Sequence, residues 1–303
     1  MAKILSKVAP WLPSASKGRR DGGEHLSATV RVLADEDTEP LRALVAEDPV
    51  ANVFLDAQLD CTGTAAPTGS GGMVVGRFDG ERLESACWVG ANLVPVQASA
   101  EAAAEIAAAL LPLARNYSSI FGPADAVLAL WGRLQEGTQR AFDVRPSQPL
   151  MVLDRAADIP PAPGLRLSTD ADYDAVLPAC AAMFEEELGY SPLTGGGSYY
   201  RARVRSLIRQ GHSFVDLDEN GRVLFKAELG TVSPRATQIQ GVWVAPAHRG
   251  RGLSAPYMAA VAGYALAVAP VTSLYVNDYN APALATYRRV GFRQVGEFAT
   301  VLF

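Results

Sequence analysis

From residue 28 to residue 33 the chain reads ATVRVL, and its apolar and polar positions alternate with the period of a half-buried strand. Over residues 38–60, Leu41, Leu44, Val45, Val53, Phe54 and Leu55 recur at helical spacing, with a break near Pro49, which predicts one or two helices. Residues 61–72, CTGTAAPTGSGG, are loop by composition. Strands predicted over 72–78 and 82–89 flank Asp79-Gly80, a hairpin-turn dipeptide. An alanine- and leucine-rich helix over 101–115, a strand over 118–121, a helix over 124–135 and a strand over 148–153 follow. Three prolines then crowd into DRAADIPPAPG, residues 154–164, the mark of a stiff connection and a domain boundary.

After that stretch the order repeats. A strand is predicted over 165–167 and a helix over 171–188, with Tyr173, Val176, Leu177, Cys180 and Phe184 as its apolar set. A glycine-rich loop, 189–197, leads to a helix over 199–210. Strands at 212–217 and 222–228 surround a turn at 218–221, and a longer strand spans 237–244. A helix over 255–268, a strand over 272–276, a helix over 281–289 capped by Gly291 and a strand over 296–302 complete the chain. The fold class is therefore α/β (α+β), with two halves of like order that share little visible sequence. The expected division is a partly disordered leader over 1–27, a first domain over 28–155 and a second over 164–303.

Composition narrows the classes. The chain has 303 residues, 49% hydrophobic and 19% charged, which suits one large domain or two of about 150 residues each. A net charge of -5 gives no sign of broad nucleic-acid binding. Three scattered cysteines fit a reducing cytoplasm better than a disulfide framework, and with three histidines they offer no metal-ligand spacing. The N-terminal residues lack the long apolar run of a signal peptide. The apolar stretches 102–113 and 255–268 are too short or too amphipathic to span a bilayer.

Candidate chemistry concentrates in GVWVAPAHRGRGLSAPYM, residues 241–258. Gly250 and Gly252 remove the Cβ atoms that keep a ligand from the backbone. The predicted helix start beside Pro256 offers free N–H groups and the positive end of a dipole, and Arg249 and Arg251 add charge. Such a turn reads either as a solvated basic connection or as a seat for a diphosphate. It is neither a Walker loop nor a dinucleotide-binding glycine motif.

Arg249-Gly250-Arg251-Gly252-Leu253-Ser254, preceded by Val242-Trp243-Val244-Ala245-Pro246, resembles the coenzyme signature of the GNAT (Gcn5-related N-acetyltransferase) superfamily, with Ser254 in place of the usual glycine or alanine. A second GNAT signature is met at Asn280, Ala283, Tyr287, Gly291 and Phe292. The resemblance covers residues 165–303. It implies tandem GNAT-like domains, each a mixed, mostly antiparallel sheet flanked by helices. It further implies acetyl-coenzyme A as cosubstrate and no metal. The expected coenzyme contacts are Val242, Trp243, Val244, Arg249, Gly250, Arg251, Gly252, Leu253, Ser254 and Asn280, with Tyr287 as proton donor to the leaving thiolate. The implied reaction is acyl transfer to a primary amine, on a small molecule or a peptide, by direct attack.

The proton acceptor is less evident. Gln238 and Gln240 stand where many relatives carry a glutamate. Glu228 is the candidate base, and pairing with Lys226 is its competing role. Glu185, Glu186 and Glu187 read as a lure for a cationic amine or as a solvated helix face. The first half carries no equivalent of the glycine–arginine turn, and resembles the degenerate N-terminal half of two-domain actinobacterial GNAT proteins. The alternatives to an enzyme of this kind are an acyl-coenzyme A sensor without turnover and a transferase using aminoacyl-tRNA.

Overall fold

A computed structural model of the chain describes residues 26–68 and 72–303. The leader expected over 1–27 falls almost wholly outside the described residues, as do residues 69–71 of the 61–72 loop. By contact the chain forms two compact units, Met1–Pro149 with Gly296–Phe303, and Leu150–Val295.

The first unit contains β1 (Val30–Val32), α1 (Thr38–Ala46), α2 (Val53–Thr62), β2 (Met73–Asp79), β3 (Arg82–Val89), β4 (Asn92–Val96), α3 (Ala100–Leu110), β5 (Ser119–Pro123), α4 (Ala124–Leu134) and the start of β6 (Asp143–Leu153). Neighbours β1 to β4 pair antiparallel, and β4 pairs β5 in parallel. The second unit takes the end of β6, then β7 (Arg166–Leu167), α5 (Tyr173–Leu188), α6 (Ser198–Arg209), β8 (Ser213–Leu217), β9 (Val223–Val232), β10 (Thr237–Val244), α7 (Ser254–Leu266), β11 (Thr272–Tyr275), α8 (Ala281–Val290) and the start of β12 (Arg293–Leu302). Strands β7 to β10 pair antiparallel, and β10 pairs β11 in parallel. Each unit is thus a mixed, mostly antiparallel sheet flanked by helices. The closing strand of each is distant in sequence: β12 lies antiparallel to β5, and residues 150–153 of β6 lie antiparallel to β11.

The two units repeat a polar device as well as a topology. Arg31 donates two hydrogen bonds of 2.7 Å to Asp37, and Arg166 donates two of 2.7 Å to Asp172. Each aspartate also accepts from the backbone N–H three residues before it, Ala34 or Thr169, at 2.8 Å. The carboxylate thereby turns the first strand into the first helix while satisfying an amide that the turn would orphan. The hydrogen bond from Arg166 holds the Asp172 carboxyl far below the usual carboxylate range. This pairing was legible: RVLADED, residues 31–37, and RLSTDAD, residues 166–172, place Arg and two Asp in the same positions.

Two elements depart from expectation. Strand β4 is absent from the predicted elements, and it contains Pro95, which cannot donate to a ladder. It is tolerated because β4 meets β5 only at Asn92↔Ser119 and Leu93↔Ile120, so Pro95 lies beyond the shared segment. The proline-rich stretch 154–164 is docked along the second unit. The Asp158 N–H donates to Val290 and the Ala162 N–H to Pro256, both at 2.9 Å, and Ala157, Ile159 and Ala162 pack on its core.

Strand β12 contributes Ala299, Val301 and the adjoining Phe303 to the core formed by α3 and α4 of the first unit. Deleting residues 296–303 should therefore expose the β5 edge and lower the unfolding midpoint of that unit. Hydrogen exchange should show loss of amide protection in Ser119–Pro123.

Candidate functional site

Strands β10 and β11 touch only at their beginnings. Their register consists of Thr237↔Thr272 and Gln238↔Ser273, after which the strands part. On its other side β10 carries a bulge. Gln240 faces Glu228 and Trp243 faces Lys226, so Gly241 and Val242 together oppose Ala227. Gly241 has φ of +61°, a left-handed conformation that suits glycine. A bulge bends its strand and increases the local twist, which steers β10 away from β11.

Beneath the bulge lies a buried ion pair. Lys226 Nζ is 2.5 Å from Glu228 Oε1, with side chains 1% and 9% exposed. A Cβ on Gly241 would come within 3.1 Å of Lys226 Nζ and 3.2 Å of Glu228 Oε2. The pair is completed from above and below. Lys226 donates to Cys180 Sγ of α5 at 3.2 Å, the Cys180 thiol donates to Glu228 at 3.4 Å, and Gln240 Nε2 donates to the other Glu228 oxygen at 3.5 Å. Tyr200 of α6 donates to the Cys180 carbonyl at 2.8 Å. Burial disfavours both charges, but the partners outweigh it. Glu228 is shifted down, chiefly by the charges of Lys226 and Arg203, and Lys226 is shifted up by Cys180 and Glu228. Burial pushes the Cys180 thiol up to about 12. Glu228 thus makes the ion pair with Lys226 that competes with its role as base.

Beyond β10 the chain turns through Pro246–His248 and reaches Gly250 and Gly252, both at φ of +73°. Nothing lies within 4 Å of the Cβ position at either glycine. The amides of residues 250–252 donate to no backbone carbonyl among the described residues. Helix α7 follows directly, with Leu253 at its N-cap, Pro256 in its first turn and Tyr257 stacked on Phe225 at 4.5 Å. A row of unengaged N–H groups at a helix start, under open space, can accept an anion. Ser254 Oγ is 3.2 Å from Thr286 Oγ1, which ties the start of α7 to α8. Arg251 is exposed. Arg249 instead donates to the Val244 carbonyl at 2.9 Å and to Glu186 of α5 at 2.7 and 3.0 Å. Trp243 Nε1 also donates to Glu186, at 3.2 Å.

The second constellation folds as its spacing predicts. Asn280 caps α8, its side-chain oxygen accepting from the Ala283 N–H at 3.2 Å. Gly291 ends the helix at φ of +110°. Tyr287 is buried, its ring 6.0 Å from that of Phe292. Burial, and then the charge of Glu187, push its phenol above the ordinary range. Glu187 accepts from Asn277 Nδ2 at 3.3 Å.

The sequence left Glu185, Glu186 and Glu187 open between a lure for a cationic amine and a solvated helix face; the structure gives two of them protein partners. Glu186 reaches the chain after β10, and Glu187 reaches the chain after β11. A signal was present: acidic residues are unfavourable at a helix C-terminus, where the dipole is negative, so three in succession require outside partners. In the first unit the corresponding helix, α3, begins after only residues 97–99, and Ser99 Oγ already accepts from the Ala102 N–H at 3.1 Å. That helix start is closed by its own cap.

Residues 180–292 match the model of the Acetyltransferase (GNAT) family, so the second half of the chain carries a GNAT-family segment. Residues 72–176 match a Domain of unknown function (DUF4081). Among solved structures, an acetyltransferase of the GNAT family from Colwellia psychrerythraea aligns over 90% of this chain and 99% of its own at 12% identity, with a TM-score of 0.55. A tandem GNAT protein from the clavulanic acid biosynthesis pathway, solved without AcCoA, aligns over 89% and 97% at 19% identity, with a TM-score of 0.53. A GCN5-related N-acetyltransferase from Sphaerobacter thermophilus aligns over 90% and 94% at 16% identity, with a TM-score of 0.55. These likenesses show the fold, including its tandem arrangement. No curated protein matches the chain.

Replacing Lys226 with Met would leave Glu228 buried without its counter-ion. The expected loss is about 3–5 kcal/mol of stability, read from the urea midpoint. Lys226→Met combined with Glu228→Gln should recover part of it.

Proposed function

We propose that the second half of the chain transfers an acyl group, acetyl above all, from acyl-coenzyme A to a primary amine by direct attack. The observation that carries this reading is the parting of β10 from β11 directly before the open turn at Gly250 and Gly252. The residues present fit the coenzyme. The amides of 250–252 and the first turn of α7 would hold the diphosphate, with Arg251 beside it and Leu253 and Ser254 at the helix entrance. The exposed backbone of Val242, Trp243 and Val244 would hold the pantetheine arm, and Asn280 would flank it at the start of α8. When bound, acyl-coenzyme A supplies an acyl group already activated as a thioester.

The chain's own residues then have separable tasks. The β10 backbone orients the acyl carbonyl, and an N–H there stabilises the developing negative charge on its oxygen. Tyr287 keeps its proton at neutral pH, so its phenol would donate a hydrogen bond to the departing thiolate and serve as the proton donor of this reading. Positioning supplies much of the remaining rate, since direct attack needs no covalent enzyme intermediate. Arg249 would act on the coenzyme only after leaving Glu186. The acceptor class is a primary amine of a small molecule or peptide. Three free cysteines support a reducing, cytoplasmic setting. No helix among the described residues is long and apolar enough to cross a membrane.

A second reading, a coenzyme-binding sensor without turnover, draws support from the engagement of Glu228 by Lys226. Two variants separate the readings. Gly252→Val would place a branched side chain in the open space and at an unfavourable φ, so acetyl-coenzyme A binding by calorimetry should be abolished with the core intact. Tyr287→Phe should lower kcat by about 10²-fold or more while the dissociation constant stays unchanged. A wild type that binds acetyl-coenzyme A yet acetylates no amine in a broad panel would favour the sensor.

A further inference from the structure

We propose that the first unit carries a binding cleft for a linear polyamine, at the point where β3 runs on past the end of β4. The cleft belongs to the first unit alone, and it does not rest on the acyl-transfer reading.

Strand β3 spans Arg82–Val89, but β4 pairs with it only from Ala86↔Val96 to Val89↔Leu93. On that side no strand accompanies residues 82–85 among the described residues. Helix α1 and the start of α3 flank this free edge and leave a cleft of about 820 Å³. That volume falls among those of small-molecule sites, about 300–1,000 Å³. Pro40, Ala43 and Leu44 of α1 and Leu83 of β3 give it an apolar wall.

Two independent features point to the chemistry of the ligand. The first is charge. Glu47, Glu81, Glu84 and Glu101 line the cleft against Arg77 and Arg82. Both arginines are already engaged: Arg77 donates to Glu84 and, at 3.1 Å, to Glu105, and Arg82 donates to Glu84. Glu47, Glu81 and Glu101 have no ion pair among the described residues. Glu47 ends α1, where the negative end of the helix dipole disfavours a carboxylate without a cation.

The second feature is a hydroxyl without a partner. Ser85 is 1% exposed, its Oγ makes no hydrogen bond, and it lines the same cleft. Its direction follows from the pleat. Ser85 alternates with Cys87 and Val89, which face the core formed with α3 and α4, so it shares the α3 side of the sheet with Arg77, its register partner. Ser99, Glu101 and Ala102 line the cleft on that side. A buried hydroxyl left unpaired opposes folding, and a ligand that pairs with it removes the penalty.

An ammonium group meets both conditions. It carries three donors and can serve Ser85 Oγ and a carboxylate together. The carboxylates come from α1, the β2–β3 turn, β3 and α3, and among the described residues no three His, Cys, Asp or Glu side chains converge as metal ligands do. Carboxylates spread around an apolar wall match several ammonium groups joined by methylenes. An anion is disfavoured, because Ser99 already caps α3 and Glu101 in its first turn offsets the positive end of the dipole.

The test is calorimetry of the full chain with spermidine at low salt, where we expect saturable binding. Glu47→Gln combined with Glu101→Gln, both at exposed positions, should weaken it about tenfold while the unfolding midpoint stays near wild type. Ser85→Ala separates a ligand contact from a structural role. It removes an unpaired hydroxyl, so the unfolding midpoint should hold or rise, yet spermidine affinity should fall about threefold or more. n-Butylamine, with one ammonium, should bind about tenfold more weakly than spermidine. No spermidine binding below about 1 mM would overturn the cleft, as would citrate binding equally well. Spermidine affinity unmoved by these first-unit variants would place the ligand elsewhere and overturn it too, and n-butylamine matching spermidine would overturn the polyamine assignment.

Discussion

A lysine and a glutamate buried beneath a glycine govern the geometry on which the candidate site depends. Lys226 and Glu228 occupy one face of β9, and Gly241 lies against them without a side chain. Only a residue that tolerates positive φ and presents no Cβ fits there, so the β10 bulge and the ion pair require one another. A buried pair of this kind gives little net stability over an apolar substitute, because desolvation offsets the attraction. What it contributes here is position. It sets where β10 bulges and hence where its backbone is free of β11. A hydrophobic replacement of equal volume could keep the fold while losing that point of departure.

The end of α5 supplies the other constraint. Glu186 ties the helix to Trp243 in β10 and Arg249 after it, while Glu187 ties it to Asn277 after β11. The end of the helix is thereby tied to both sides of the gap by polar contacts. The Arg249–Glu186 pair is exposed, and such a contact is weak and can be exchanged for another without disturbing a packed core. Arg249 illustrates this: the same guanidinium that the family signature assigns to the coenzyme is held by Glu186. An arrangement that changes partners at low cost suits a site that must open to admit a ligand and close around it.

Much of this was legible in the chain. The order of elements, the cap at Asn280, the left-handed stop at Gly291 and the glycine turn all follow from local chemistry that a sequence displays directly. The misses have a common cause, since each depends on what a residue meets from a distant element. Strand β4, which contains Pro95, is not predicted at all, and it is held by pairing with β3 and β5. Residues 154–164 read as a tether until Val290 and Pro256 accept their amides. Glu228 could be assigned neither as base nor as partner of Lys226 until Cys180 and Gln240 were brought onto it. The closing strand of each unit comes from far along the chain, which no local pattern can announce.

The comparison of the two units separates frame from chemistry. Both keep the Arg–Asp turn between first strand and first helix, and both keep a parallel pair joined at only two positions before it parts. The parted strands are therefore a property of the frame. What differs is the passage from strand to helix. In the second unit it runs through a bulge and two left-handed glycines to an uncapped helix start. In the first it is short, and Ser99 satisfies the helix start from within. A helix N-terminus offers only a few free amides, so a side-chain cap and an anion compete for the same donors. Capping Ser99 onto α3 thus stabilises the first unit as scaffold by the same interaction that withdraws it from anion binding. The amides of residues 250–252 in the second unit meet no backbone acceptor among the described residues, which is what the diphosphate seat proposed for this turn requires.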